Sequence, residues 1–468
     1  MTELAQGWIT APLAAVVTIK TGPFGSALHK SDYLPTGIPI VNPMHIRGGL
    51  IQPGSDARVG EAKLRELMEF RLAEGDVVLG RRGEFGRCAV VGKVEAGWLC
   101  GTGSLVLRPN GSVEPRYLQR FLSSPAVVAR LEGDSVGSTM VNLNQGILKA
   151  LEIPMPSLPE QQRIADKLDA LLARMDACRH RLDRVPGILE RFRQAVLESA
   201  LRGELSSEWR DSNSVSMLSW RSVTLADVAD VGTGSTPLRS NAAFYSSTGT
   251  PWVTSAATGL AYVDTAGEFV TPAAVAAHRL KTYPPGTLLV AMYGEGKTRG
   301  QVSELRIHAT INQACAAVRV DESQASKAFV KLALWAQYEQ MRALAEGGNQ
   351  PNLNLSKIKG LAIRTPPIQE QAEIVRRVES LFALADAIDA RYTAARAQVE
   401  RLTPALLAKA FRGELVPQDP NDEPASMLLE RIRAARAAAP AKPKRGRGTA
   451  LRESSEDNVG PVVAAHRS

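Results

Sequence analysis

The chain is written twice, and that constrains it more than any other feature. Asn142-Leu143-Asn144 recurs 210 residues later as Asn352-Leu353-Asn354. At the same shift Leu151, Ile153 and Pro156 meet Leu361, Ile363 and Pro366, and Glu160-Gln161 meets Glu370-Gln371. Arg202-Gly203-Glu204-Leu205 meets Arg412-Gly413-Glu414-Leu415 with no gap between. Upstream the match is looser. Trp8 aligns with Trp220, Thr21-Gly22 with Thr233-Gly234 and Thr36-Gly37-x-Pro39 with Thr248-Gly249-x-Pro251, all at shift 212. Gly83-Glu84 aligns with Gly294-Glu295 at shift 211. A period this long is no solenoid unit. It means duplicated domains, each with a divergent first part and a closely kept second part.

The divergent parts read as mixed α/β. Asp76–Leu79, Ser104–Leu107 and Thr287–Ala291 are short apolar runs of strand character between Gly- and Pro-rich turns such as Thr21–Gly25 and Pro284–Gly286; residues 115–132 and 324–346 read as helical. The kept parts are long helices. Ile164, Leu168, Leu171, Met175, Cys178, Leu182, Val185, Leu189, Phe192 and Val196 alternate steps of four and three, as do Ile374, Val378, Leu381, Ala385, Ile388, Tyr392, Ala395, Val399, Leu402 and Leu406. Such a 3.5-residue repeat keeps one apolar stripe facing a partner helix. Gly203 and Gly413 stand where a helix C-cap belongs. Pro186 and Pro404 should kink or interrupt their helices, and since the apolar phase survives Pro186, a kink is expected there. Each helix of some 40 residues is about 60 Å long. The two seams most simply bury each other, with two pseudo-two-fold units pairing their helices antiparallel and the globular parts at opposite ends of a rod; a homodimeric coiled coil is the alternative.

Composition excludes several classes. Over 468 residues the hydrophobic fraction is 44% and the charged fraction 22%, ordinary for globular chains. There is no apolar run long enough for a membrane span, and MTELAQGWIT has no signal-peptide pattern. The four cysteines (Cys88, Cys100, Cys178, Cys315) show no C-x2-C spacing and the six histidines no ligand pairing, which argues against a zinc site or a disulfide framework and fits a reducing cytoplasm. The net charge of +8 rests mostly on seven basic residues in 431–447, leaving about +2 for residues 1–430. The pI is therefore weak support for a nucleic-acid-binding body. A short helix over 423–437 followed by a disordered basic tail is expected, with nonspecific phosphate attraction as its effect.

Two motifs invite enzymatic readings. Gly294-Glu295-Gly296-Lys297-Thr298 follows an apolar run, but the first glycine of a phosphate-binding P-loop would fall on Ala291, and the other copy has Gly83-Glu84-Phe85-Gly86-Arg87 instead. A shared turn presenting cations is the better reading. Asn42-Pro43-Met44-His45 is similar to the Asn-Pro-Pro-aromatic motif of adenine methyltransferases but lacks the second proline and the aromatic. No Gly-rich strand–turn–helix for S-adenosylmethionine accompanies it, and no nucleophile–base constellation is evident.

Two divergent globular parts, each followed by a helix opening Pro-x-x-x-Glu-Gln (Pro156–Gln161, Pro366–Gln371) and closing Arg-Gly-Glu-Leu, resemble the specificity subunit of type I restriction–modification enzymes over residues 1–420. The resemblance implies duplicated α/β (α+β) target recognition domains joined by two long helices in an intramolecular antiparallel coiled coil. The predicted boundaries are a first recognition domain at 1–157, a central helix at 158–205, a linker at 206–218, a second recognition domain at 219–366, a C-terminal helix at 367–415, and a short helix with basic tail at 416–468. It further implies a bacterial, cytoplasmic, non-catalytic subunit that reads a bipartite target on double-stranded DNA, one half per domain. The helices set the half-site spacing and dock two adenine-N6 methyltransferase (modification) subunits, with restriction (translocase/endonuclease) subunits as further partners. The chain itself is expected to bind no metal and no cofactor; S-adenosylmethionine, ATP and Mg belong to the partner subunits. A rigid link between two modest readers builds affinity only when the spacing is right. The alternatives are a coiled-coil scaffold without specific DNA binding and a stand-alone DNA adenine methyltransferase.

DNA contacts are expected from loop residues able to reach base edges or phosphates. The candidates are Arg81, Arg82 and Arg87 around a glycine turn, with Ser26 and Lys30, in the first domain. In the second they are Tyr293, Lys297 and Arg299, with Thr236, Arg239 and Ser240. Asn142, Asn144, Asn352 and Asn354 recur in both copies, which suits turn or cap duty. Glu160, Gln161, Glu370 and Gln371, with Arg202 and Arg412, are candidates for either partner-subunit contact or a structural role.

Overall fold

A computed structural model describes residues 4–23, 27–54, 57–133, 143–294, 296–345 and 352–438. The chain divides into two units, Met1–Arg174 with Arg401–Ser468, and Met175–Glu400.

In the first unit, besides a small hairpin of Ile46–Arg47 with Leu50–Ile51, the strands are β1 (Ile9–Pro12), β2 (Val17–Thr21), β3 (Ile38–Val41), β4 (Arg58–Val59), β5 (Val77–Gly80), β6 (Cys88–Val90), β7 (Leu99–Cys100), β8 (Ser104–Pro109) and, after helices α1 (Pro115–Leu122), α2 (Pro125–Gly133) and α3 (Gln145–Ala150), β9 (Glu152–Met155). An antiparallel sheet of order β2-β8-β5-β6 forms the centre, with β4-β3-β7 beside it and β1 paired to β9, Ile9 opposite Met155. β5 is buried at all four positions, as an unbroken apolar run demands. The helical stretch expected over 115–132 is two helices: Glu114 caps the first by accepting from the Tyr117 amide at 2.7 Å, and Pro125 can only open a new helix. This unit also holds the beginning of α4 (Leu158–Leu182), whose Ile164 and Leu168 share a core with Leu407, Ala410 and Leu429 from the end of the chain.

The second unit contains α5 (Val185–Leu201) and α6 (Ser207–Asn213). Then follow β10 (Arg221–Thr224), β11 (Ala229–Thr233), β12 (Tyr245–Ser246), β13 (Thr250–Val253), β14 (Tyr262–Val263), β15 (Glu268–Val270), β16 (Leu288–Ala291), β17 (Val302–Leu305), β18 (Thr310–Ile311) and β19 (Cys315–Val320). Helices α7 (Lys327–Ala336), α8 (Tyr338–Ala345) and α9 (Leu355–Lys359) lead to β20 (Ala362–Thr365), which pairs with β10 as β9 does with β1. The main sheet has order β11-β19-β16-β17-β14, the four-stranded plan of the first unit plus one strand; a second sheet runs β12-β15-β13-β18. Val196, Leu197 and Ala200 of α5 pack with Ile374 and Val378 of the helix that follows β20.

That helix, α10 (Ile368–Phe411), runs through Pro404, so this proline does not end it. Proline removes one helical donor, and the buried Leu407 and Ala410 beyond it hold the last turns in place. At Pro186 the helix does divide, but Arg184 keeps right-handed helical angles (φ −84°, ψ −21°), so the chain kinks without leaving the helical path. The heptad stripes are unevenly buried: Met175, Leu189, Val196, Val378 and Ala385 are inside, whereas Cys178 and Ile388 are exposed. The stripe nevertheless continues across the break near residue 184, with Leu182, Val185 and Phe192 half-buried.

The stretch 206–218 is ordered, with α6 placing the Arg210 side chain in the interior. The short helix expected over 423–437 is α11 (Ala425–Ala438), whose Ala425 and Leu429 join the first unit's core; residues 439–468, the basic tail with them, lie outside the described residues. Among the described residues no helix is long and apolar enough to cross a membrane.

Candidate nucleic-acid interface

In the first unit Arg81, Arg82 and Arg87 all lie on the connection between the antiparallel strands β5 and β6. Arg81 is half-buried, donating from Nε to the Leu143 carbonyl at 3.1 Å, while its own backbone bonds Gly103 and Leu143. Arg87 is tied to Glu84 in an ion pair. Arg82 is exposed, as is Lys30 on a single 3-10 turn; Ser26 lies outside the described residues. The Gln145 amide donates to Thr21 Oγ1 at 2.9 Å, so the ends of β2 and β5 and the start of β8 and α3 meet at one edge of the sheet.

The second unit repeats the placement. Tyr293, Lys297 and Arg299 lie on the connection between the antiparallel strands β16 and β17. A strand–turn–strand is not the strand–turn–helix of a P-loop, which removes the nucleotide-binding reading. Lys297 is exposed, with its carbonyl held by the Tyr338 hydroxyl at 2.7 Å, while Tyr293 and Arg299 are half-buried. Thr236 bonds Gln313, and Arg239 is paired to Glu268 with its guanidinium over the rings of Tyr245 and Trp252, 4.8 and 4.9 Å from their centroids. Ser240 next to it is exposed. Of the eleven candidates, Lys30, Ser240 and Lys297 therefore have exposed side chains uncommitted in the bonds described above and Arg82 is exposed as well, whereas Arg87 and Arg239 would exchange a carboxylate for a phosphate. The sequence missed a third cationic cluster, Lys20, Arg71 and Arg108 on the β2–β8 face, where Arg108 grips Asp76 at 2.6 Å.

The residues kept between the copies build something else. In the first unit the Trp8 indole donates to Glu160 Oε1 at 3.2 Å, and Gly413 lies against the same indole. In the second, Trp220 donates to Glu370 Oε2 at 2.9 Å and Gly203 lies against its ring. Both glycines have positive φ, +77° and +78°, and a Cβ there would meet the packed side chains. Gln161 accepts from the Glu114 amide at 2.9 Å, and Gln371 from the Ser326 amide at 2.7 Å. All four Glu-Gln side chains are buried. Burial pushes the Glu160 carboxyl up, against the Trp8 bond and the nearby Arg163. Arg202 and Arg412 each pair with the glutamate two residues on, at 2.8 and 2.7 Å, on the surface. Asn144 and Asn354 cap α3 and α9, accepting from the Ile147 and Lys357 amides at 2.9 and 2.8 Å; Asn142 lies outside the described residues. The tryptophans were missed as site residues, although their alignment at shift 212 was the signal. Arg210, buried against Glu370 at 2.6 Å, gave none.

Burial pushes the Cys88 and Cys315 thiols up to about 12, which makes them poor nucleophiles. Among the described residues no group of three His, Cys, Asp or Glu is placed to hold a metal ion. Asn42-Pro43-Met44-His45 is a 3-10 turn with His45 buried 2.9 Å from the Ile40 carbonyl.

A family model described as type I restriction modification DNA specificity domain matches residues 7–186 and again 217–394. The specificity subunit of the type I restriction enzyme StySPI from Salmonella potsdam is 30% identical over 465 residues, covering 94% of this chain and 98% of the relative. The EcoKI specificity subunit of Escherichia coli K12 shows the same identity and coverage. Among solved structures, a chain from a study of type I R-M complex assembly and conformational transition superposes with TM-score 0.68 at 22% identity, over 88% of this chain and all of that one. The HsdS subunit of Thermoanaerobacter tengcongensis gives 0.59 at 21%, over 88% and 98%. These two likenesses concern the fold.

Proposed function

The chain belongs to the family of type I restriction–modification DNA specificity proteins, and from that premise we propose that it is a non-catalytic subunit reading a split DNA target, one half through each recognition domain. The observation that carries this reading is the contrast within the duplication. Both copies keep the β1–β9 type ladder, the indole–carboxylate pair and the capped helix, while the loops at the corresponding strand ends share Gly83-Glu84 and Gly294-Glu295 but differ in the side chains around them, Arg81, Arg82 and Arg87 against Tyr293, Lys297 and Arg299. A device that reads two unlike half-sites needs a constant frame and variable edges.

We further infer that the kept helices pair antiparallel within the chain as a coiled coil that sets the half-site spacing. Two ion pairs in the second unit support this: Arg193 with Asp386 at 2.6 Å and Asp183 with Arg396 at 3.2 Å. A ten-residue step back along one helix is matched by a ten-residue step forward along the other, as antiparallel neighbours require. In this reading the chain acts in the bacterial cytoplasm and docks two modification subunits and the restriction subunits. S-adenosylmethionine, ATP and Mg are bound by those partners.

Mapping adenine methylation in the genome with and without this chain tests the proposal. A split methylated motif that vanishes on deletion is expected; an unchanged methylation map overturns it. The purified chain alone should transfer no methyl group, and transfer by it would establish the stand-alone methyltransferase instead.

A further inference from the structure

The two indole–carboxylate pairs are not equally complete. In the second unit Glu370 Oε1 receives the Arg210 guanidinium at 2.6 Å and the Ser206 hydroxyl at 2.8 Å, while Oε2 takes the Trp220 indole. A carboxylate that deep is tolerated because a cation neutralises it. In the first unit Glu160 is also buried, 4% exposed against 0% for Glu370, yet its one hydrogen-bond donor among the described residues is the neutral Trp8 indole. The position 210 residues beyond Arg210 is Pro420, which brings no charge.

Where the guanidinium would sit there is instead a cavity of about 440 Å³, lined by Trp8, Ser157, Glu160, Asp419, Pro420 and Asp422 among others. The nearest cation, Arg163, is spent on Asp422 at 2.8 Å. Three carboxylates therefore face one cavity against a single committed guanidinium. The lining repels phosphate, and it does not gather into a metal-binding group. An indole wall beside carboxylates suits a planar cation that can both stack and bond in a fork, which is arginine's chemistry more than lysine's.

We propose that this cavity is the receptor for the guanidinium of an exposed arginine on a protein partner, which takes against Glu160 and Trp8 the place that Arg210 takes against Glu370 and Trp220. The internal copy is the precedent: the same pair of residue types, on the same elements, already holds that group. The site goes beyond DNA reading, and it makes one half of the chain receptive where the other is self-satisfied.

The test uses the full chain labelled with 5-fluorotryptophan, its six resonances assigned by single Trp→Phe changes, titrated with the peptide N-acetyl-Gly-Arg-Gly-amide at constant ionic strength. The Trp8 resonance should shift saturably while that of Trp220 stays still, and the Lys peptide should bind roughly tenfold more weakly. Glu160→Gln keeps an acceptor for the indole and should abolish the shift; should that variant not fold, the exposed Asp419→Asn should weaken binding by about threefold or more. Arg210→Met should make Trp220 responsive to ethylguanidinium, with a rise in Tm on its addition. A Trp8 resonance that does not move, or that moves as much in Glu160→Gln or with the Lys peptide, overturns the proposal.

Discussion

The two halves hold the same tryptophan, glutamate and glycine in the same relation, but among the described residues only the second closes its buried carboxylate with a cation of its own. Duplication preserved the part that fixes geometry and let the charge compensation diverge. The hydrogen bond alone thus suffices to keep the frame, and the cation is a separable addition.

The difference predicts unequal costs. Glu370→Ala strands the Arg210 guanidinium in the interior and should destabilise the second unit by about 3–5 kcal/mol. The corresponding Glu160→Ala leaves only an indole N–H without an acceptor and should cost about 1–3 kcal/mol. Urea unfolding of each variant measures both, and equal losses would show that Arg210 contributes nothing beyond its twin's empty cavity. Between them falls Gly413→Ala: a Cβ at φ +78° would stand 2.4 Å from that of Ala5, and about 2–4 kcal/mol is expected. Gly203→Ala should cost less, since its nearest neighbour is the flexible Met217 Sδ at 2.9 Å.

A smaller effect separates the halves by pH. Glu373, in the second unit, is held at about 2 by hydrogen bonds from Arg376 and then Arg377, against an ordinary 4.5. Its folded value is depressed, so its contribution is full above pH 4.5 and is lost as pH falls toward 2. Glu373→Gln should be less stable than the native chain at neutral pH, by a gap that closes across that window in acid titrations. Arg376 is largely exposed, which screens the effect. Smallest of all should be neutralising the basic residues of 442–447: DNA affinity becomes less salt-sensitive while the recognised motif stays the same, and an altered motif would reassign that stretch to sequence reading.

Much of the fold was legible because it is local. Runs expected at 76–79, 104–107 and 287–291 are strands Val77–Gly80, Ser104–Pro109 and Leu288–Ala291. The family followed from the repeat, and the family match confirms it. The heptad stripes were legible both as pattern and in most of their burial: Leu182, Val185, Leu189, Phe192 and Val196 stay half-buried or buried on both sides of Pro186, and the exceptions are the exposed Cys178, Ile388 and Leu402, which a pattern of residue types alone does not single out. Arg210 read as linker for a deeper reason. Its partner Glu370 is 160 residues away, and nothing periodic marks a single buried ion pair. The indole–carboxylate pairs span 152 and 150 residues, yet their recurrence at nearly one shift left a trace that the lone arginine could not.

The first unit is discontinuous: Leu407, Ala410 and Leu429 complete a core that begins with Trp8 and Leu13. A ribosome making this chain must therefore finish the entire second reader before the first can close, and until then Ile164 and Leu168 wait without their cover. A product stopped early, by a frameshift or a nick, is thereby penalised at its beginning, so that only a fully translated molecule presents two finished readers to the genome.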